Sequence, residues 1–173
     1  MRTALHKIAK GLMAGTLGLV AVSAQAAPGN TKTVAGTANV TIAQPAKIQK
    51  VDDLRFGVIV RPAGAGMVEI DPTGTITANI DISAYPGNRG PSRFLLVGDN
   101  NRRFLVFLPS RIDITNGTAT MRVDRFRMNA VNGSTRFDAN GRYNLYVGGR
   151  LNVGANQAVG QYSGTFDVTV VYQ

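Results

Sequence analysis

Gly160-Gln-Tyr-Ser-Gly-Thr-Phe-Asp-Val-Thr-Val-Val-Tyr172-Gln173 is the stretch whose reading decides the fold class. Side chains alternate sides along an extended strand. Tyr162, Gly164, Phe166, Val168, Val170 and Tyr172 therefore fall on one face, and Ser163, Thr165, Asp167 and Thr169 on the other. The pattern predicts a half-buried strand. Its hydrogen-bonding neighbour must come from earlier in the chain or from another molecule.

The same alternation recurs upstream. Ala38, Val40 and Ile42 share one parity, as do Leu54, Phe56, Val58 and Val60, and Ile76, Ala78, Ile80 and Ile82. Met67–Ile70 is a short strand before an Asp71-Pro72-Thr73-Gly74 turn. Phe94–Val97 and Phe104–Leu108 are continuous apolar runs, expected as central strands. Asn116-Gly117, Asn132-Gly133 and Asn140-Gly141 are hairpin signals, because both residue types tolerate positive φ. Tyr143, Leu145 and Val147 alternate up to Gly148-Gly149, after which Leu151 and Val153 follow. Many short strands at turn spacing predict an all-β antiparallel sandwich.

The other end of the sequence sets an expected compartment. Met1–Lys10 carries Arg2, Lys7 and Lys10 without an acid, Gly11–Val22 is a short apolar run, and Ala24-Gln25-Ala26 has the small-x-small form of a cleavage site. Residues 1–26 are thus expected to be a Sec signal peptide. Cleavage would leave residues 27–173, divided into an N-terminal extension (27–37) and one sandwich domain (38–173). The expected route is through the periplasm to the cell surface.

Composition restricts the chemistry. The sequence has no Cys, and its one His is His6. Without them beyond residue 26, Ser-His-Asp and Cys-His catalysis and N/S zinc sites have no supply of residues. Glu69 is the only Glu. Asp52-Asp53 is the only acidic pair, and adjacent strand residues point to opposite faces, a poor geometry for a carboxylate dyad. Gly64-Ala65-Gly66 lacks the Lys-Ser/Thr of a phosphate loop. The expectation is a protein that is not an enzyme, with no catalytic residue, metal or cofactor. The formal net charge is +9. Arg102, Arg103, Arg122, Arg125 and Arg127 come nearest to a cluster, but Phe104, Phe107 and Phe126 are expected in the core. The aromatic interleaving of a nucleic-acid surface is then missing, and a solvated face paired with Asp124 is the favoured reading. Anionic surface polysaccharide is the other partner such charge fits.

Two family resemblances follow from these residues. Gly160, fourteenth from the end, and the penultimate Tyr172 flank alternating Phe166, Val168 and Val170, and in this the chain resembles pilin subunits of the bacterial chaperone–usher pathway. Val40-Thr-Ile-Ala-Gln-Pro45, Leu54-Arg-Phe-Gly57, Leu145-Tyr-Val-Gly-Gly149 and Gly160-Gln-Tyr-Ser-Gly164 are similar to the secreted family known as domain of unknown function 4402. The pilin resemblance implies an immunoglobulin-like sandwich that lacks its last strand. A periplasmic chaperone lends that strand, and at an outer-membrane usher the N-terminal extension of the next subunit replaces it.

On this reading the donor strand is Val34, Gly36, Ala38, Val40 and Ile42, with Gly36 suited to a shallow pocket. The acceptor groove and chaperone-recognition strand is Gly160, Tyr162, Gly164, Phe166, Val168, Val170 and Tyr172. Partners would be further copies or related subunits. Two departures from the pilin pattern are the short extension and the absent cysteine pair. They keep open a second expectation, an autonomous secreted sandwich that binds surface glycan or another anionic envelope component.

Overall fold

A computed structural model describes Thr37, Val40 and residues 47–173. The signal peptide and the donor positions Val34, Gly36, Ala38 and Ile42 lie outside the described residues. The chain divides into residues 1–40 and 41–173, and every described strand lies in the second unit.

Among the described residues, nine strands form two antiparallel sheets: β1 (Lys47–Asp52), β2 (Gly66–Ile70), β3 (Ile76–Ala78), β4 (Ser92–Val97), β5 (Phe104–Phe107), β6 (Arg111–Thr115), β7 (Thr120–Met128), β8 (Arg142–Val153) and β9 (Thr169–Tyr172). β8 is the spine. One of its edges pairs first with β4 (Leu96↔Tyr143, Ser92↔Val147) and then with β2 (Ile70↔Gly149, Gly66↔Val153). β7 also pairs with β8, and β6 extends the sheet beyond β7. β1 flanks β4, and β3 flanks β2. β5 and β9 make a separate two-stranded sheet, with Phe104 opposite Tyr172. The arrangement is all-β and sandwich-like.

Strand parity explains the core. Phe94 and Leu96 of β4, with Leu145 and Val147 of β8, turn to one face and meet Phe104 and Val106 of β5; Phe137 joins them from the β7–β8 connection. All of these side chains are buried. A second cluster covers the far half of the large sheet: Val123, Leu151 and Val153, with Leu54, Phe56 and Ile59 laid against them.

Several expectations are corrected. Leu54–Val60 forms no strand. Gly57 has a φ of +72°, which turns the chain and shifts the parity, so that Ile59 takes the inward place and Val58 and Val60 face out. The run from Ile76 leaves the ladder after Ala78. Phe104–Leu108 is not central in the described sheets, since among the described residues β5 has only β9 as a strand partner. Phe107 is 53% exposed rather than in the core, because it shares the outer parity of that small sheet.

Asn116-Gly117 does close the β6–β7 hairpin, whereas Asn132-Gly133 and Asn140-Gly141 both lie in the single β7–β8 connection. Gly148-Gly149 does not break the strand but lies buried inside β8. A Cβ at Gly148 would run into the Ile70 carbonyl, and one at Gly149 would crowd Leu54 and Val123 at 3.3 Å, so the two glycines permit close packing here.

Candidate functional site: an apolar groove beside the terminal segment

The C-terminal segment holds the parity read from its sequence. Phe166, Val168, Val170 and Tyr172 are half-buried, and Asp167, Thr169 and Val171 are exposed. Only Thr169–Tyr172 is a strand, however. Upstream, Ser163 makes one two-way backbone bridge to Thr115 (2.9 and 3.0 Å), and the chain between Gly164 and Val168 forms no ladder among the described residues.

This irregular segment borders an apolar groove of about 1350 Å³. Residues 157–166 line it from the C-terminal segment, and residues 54–62 and 84–88 line it from elsewhere. Its apolar side chains include Phe94, Ile112, Ile114, Val123, Leu151 and Val153. These belong to the two core clusters, so the groove reaches core surface. Val58 and Val60 on its lining are 56% and 44% exposed. Among the described residues, none of the backbone N–H groups of residues 57–61 finds a backbone partner.

The seven positions expected in the acceptor strand divide. Gly160, Tyr162, Gly164 and Phe166 line the groove. Gly160 has φ +142°, and a Cβ there would meet Asn116 Nδ2 at 2.8 Å, so the position requires glycine. The Tyr162 hydroxyl donates to the Ala158 carbonyl (2.7 Å) and accepts from Gln157 Nε2 (2.9 Å), which orders the bend after Val159. Phe166 meets Phe94 edge-on at 6.1 Å and Phe126 tilted at 5.0 Å.

Val168, Val170 and Tyr172 pack instead against the main core cluster. Tyr172 stacks on Phe137 at 5.6 Å and donates to the Val97 carbonyl (3.3 Å). Burial pushes its phenol pKa up. Of the donor positions, Val40 alone is described, and it is 87% exposed.

The acidic residues are largely paired or hydrogen-bonded. Glu69, Arg150, Asp124 and Arg111 follow one another across β2, β8, β7 and β6 as directly opposed residues of alternating sign. Arg150 binds Asp124 through Nε (2.9 Å) and Nη2 (3.1 Å), and these bonds hold the Asp124 carboxyl below the usual carboxylate range. Arg127 faces Glu69 at 3.8 Å, Arg122 faces Asp113 at 3.9 Å and Arg102 binds Asp99 at 3.1 Å. Asp124 thus pairs with Arg150, not with the sequence-adjacent arginines. Asp52 pairs with Arg93 (3.0 Å) and Asp53 with Lys50 (2.7 Å), so these carboxylates meet cations rather than each other. Among the described residues no group of three or more metal-ligating side chains converges.

Residues 54–62 and 84–89 were not read from the sequence as part of a site. The usable signals were Gly57, a glycine inside an otherwise alternating run, and Pro86-Gly87-Asn88, a turn set just before β4.

Residues 46–172 match the family described as Domain of unknown function (DUF4402). The chain belongs to the DUF4402 family. The match covers every described strand of this member and stops short of the stretch that holds the donor positions up to Ile42. No curated protein and no solved structure matches the chain.

Proposed function

We propose that this DUF4402 protein is an exported structural subunit of a bacterial surface fibre, polymerised by strand donation. The observation that carries the reading is the groove. Its lining combines exposed valines, core side chains and a backbone stretch without ladder partners among the described residues. An extended segment supplies what such a site lacks: backbone hydrogen bonds along its edge and alternate side chains for its floor. The sequence offers one in Val34, Gly36, Ala38, Val40 and Ile42, which share a face. In this proposal the segment of one subunit enters the groove of the next. A periplasmic chaperone fills the groove beforehand, and an outer-membrane usher exchanges the two. The subunit carries no catalytic chemistry.

A copy of residues 31–43 appended to the C terminus through a flexible linker tests this. The expected outcome is a higher melting temperature and loss of self-association. An unmodified protein that is monomeric, with a melting temperature the appended strand leaves unchanged, overturns the reading and favours an autonomous domain.

A further inference from the structure

Arg89 is half-buried and makes an unusual set of contacts. Its Nε donates to the Phe56 carbonyl (3.0 Å), Nη1 to Tyr85 (2.9 Å), and Nη2 to Val58 (2.6 Å) and Ile82 (3.1 Å). A guanidinium carries five N–H donors in a rigid fork. Four acceptors here are main-chain carbonyls, and no carboxylate pairs with it among the described residues. The chain is shaped to allow this. Gly87 and Asn88 have φ of +109° and +49°, a left-handed pair just before the arginine. At Gly57, itself left-handed, a Cβ would meet Arg89 Cγ at 2.8 Å, so the arginine stem uses the space a side chain would fill.

The placement is informative. Arg55 and Gly90 exchange two backbone hydrogen bonds of 2.9 Å, the last ladder-like contact of this segment. Beyond it the segment leaves the β4 edge, and the Arg89 side chain substitutes for the missing strand. It holds Phe56, which packs against the second core cluster, and also Val58, which is largely exposed on the groove lining and outside that cluster. Besides anchoring Phe56, it therefore fixes an exposed part of the groove lining.

We propose that Arg89 is the positioning residue that pre-forms this lining for an incoming strand, namely residues 31–43 of a second copy of this chain. The proposal rests on the strand-donation reading. Association is weakened by whatever ordering must occur on binding. With Arg89 in place, residues 56–58 are ordered beforehand. The side chain engages the Phe56 and Val58 carbonyls and occupies none of the N–H groups of residues 57–61, so those that face the groove stay open to the occupant.

The test measures binding of a synthetic peptide of residues 31–43 to the full chain by fluorescence anisotropy, with melting temperatures in parallel. Arg89→Ala is expected to weaken the peptide by about tenfold or more, through lost pre-ordering. Arg89→Lys is expected to weaken it to a similar extent, since an ammonium cannot span four carbonyls. It also serves if the alanine variant does not fold. Ile70→Ala is the control: a fully buried residue outside the groove lining, whose loss should lower the melting temperature but leave peptide affinity unchanged. Wild-type affinity in Arg89→Lys or in a folded Arg89→Ala, or an Ile70→Ala loss as large as theirs, overturns the role of Arg89 alone. A wild-type chain that binds no peptide overturns the strand-donation reading itself.

Discussion

Removing the Phe166 ring should separate the two faces of the C-terminal segment. The ring lies between Phe94 and Phe126, with centroid distances of 6.1 and 5.0 Å, and packs against the main core cluster. Full burial of a phenylalanine is worth about 1.5–3 kcal/mol. Each favourable ring pair adds about 0.5–1.5 kcal/mol. Because Phe166 also borders the groove, the space it leaves is open on one side, which limits the cavity penalty. Phe166→Ala is therefore expected to cost about 3 kcal/mol, the low end of the usual range for this change. Asp167 points the other way, is exposed, and makes no hydrogen bond or ion pair with another described residue. Asp167→Ala should stay within about 0.5 kcal/mol. Equilibrium urea unfolding of the full chain measures both, and an unchanged slope with a shifted midpoint identifies a stability effect. Equal losses in the two variants would refute the facing assigned to this segment, and the groove built on it.

The Asp124–Arg150 pair gives a pH dependence. A carboxylate whose folded pKa is depressed adds stability that is present above its unfolded pKa, about 3.9, and lost as pH falls through the folded value. The difference between wild type and Asp124→Asn should accordingly be full at neutral pH and shrink below about pH 4; a pH-independent difference would contradict it. Gly141, with φ +70°, is buried, and a Cβ there would run into the Gly98 carbonyl, whereas a Cβ at Gly133, with φ +85°, would meet nothing within 4 Å. Gly133→Ala should cost about 1–2 kcal/mol for the left-handed backbone alone, and Gly141→Ala clearly more, as read by thermal unfolding. Gly36→Leu should leave monomer stability within about 0.5 kcal/mol while lowering fibre yield in cells; normal fibres in that variant would remove Gly36 from the donor strand.

Facing was legible in the sequence because period-two alternation depends only on local geometry. It placed Tyr162, Phe166, Val168, Val170 and Tyr172 on the more buried side, and likewise Leu145 and Val147 of β8. Pairing was not legible, since it depends on distant residues. Nothing local to Phe104–Phe107 distinguishes an interior strand from one that pairs, among the described residues, with β9 alone. Gly148-Gly149 has the composition of a turn, yet it lies inside a twelve-residue strand because other chain segments approach it closely. Likewise, Leu54–Val60 alternates on paper, but the left-handed φ of Gly57 inverts the parity beyond it. That inversion turns Val58 and Val60 outward, so half of the candidate site was invisible before the backbone was known. Arg89 was unreadable for a related reason: its acceptors are carbonyls, which every residue has.

The central claim is that the N-terminal segment of one copy occupies the groove of another. The sequence has no cysteine, so introduced thiols report without background. Val40→Cys in one copy and Val58→Cys in a second, differently tagged copy can join only if the two positions come within disulfide range, about 3.5–4.5 Å between Cβ atoms. Mild oxidation of the mixture should give a mixed-tag dimer on a non-reducing gel, suppressed by excess peptide of residues 31–43. Absence of that dimer, with the disulfide forming only inside a single chain carrying both changes, would contradict strand donation between copies.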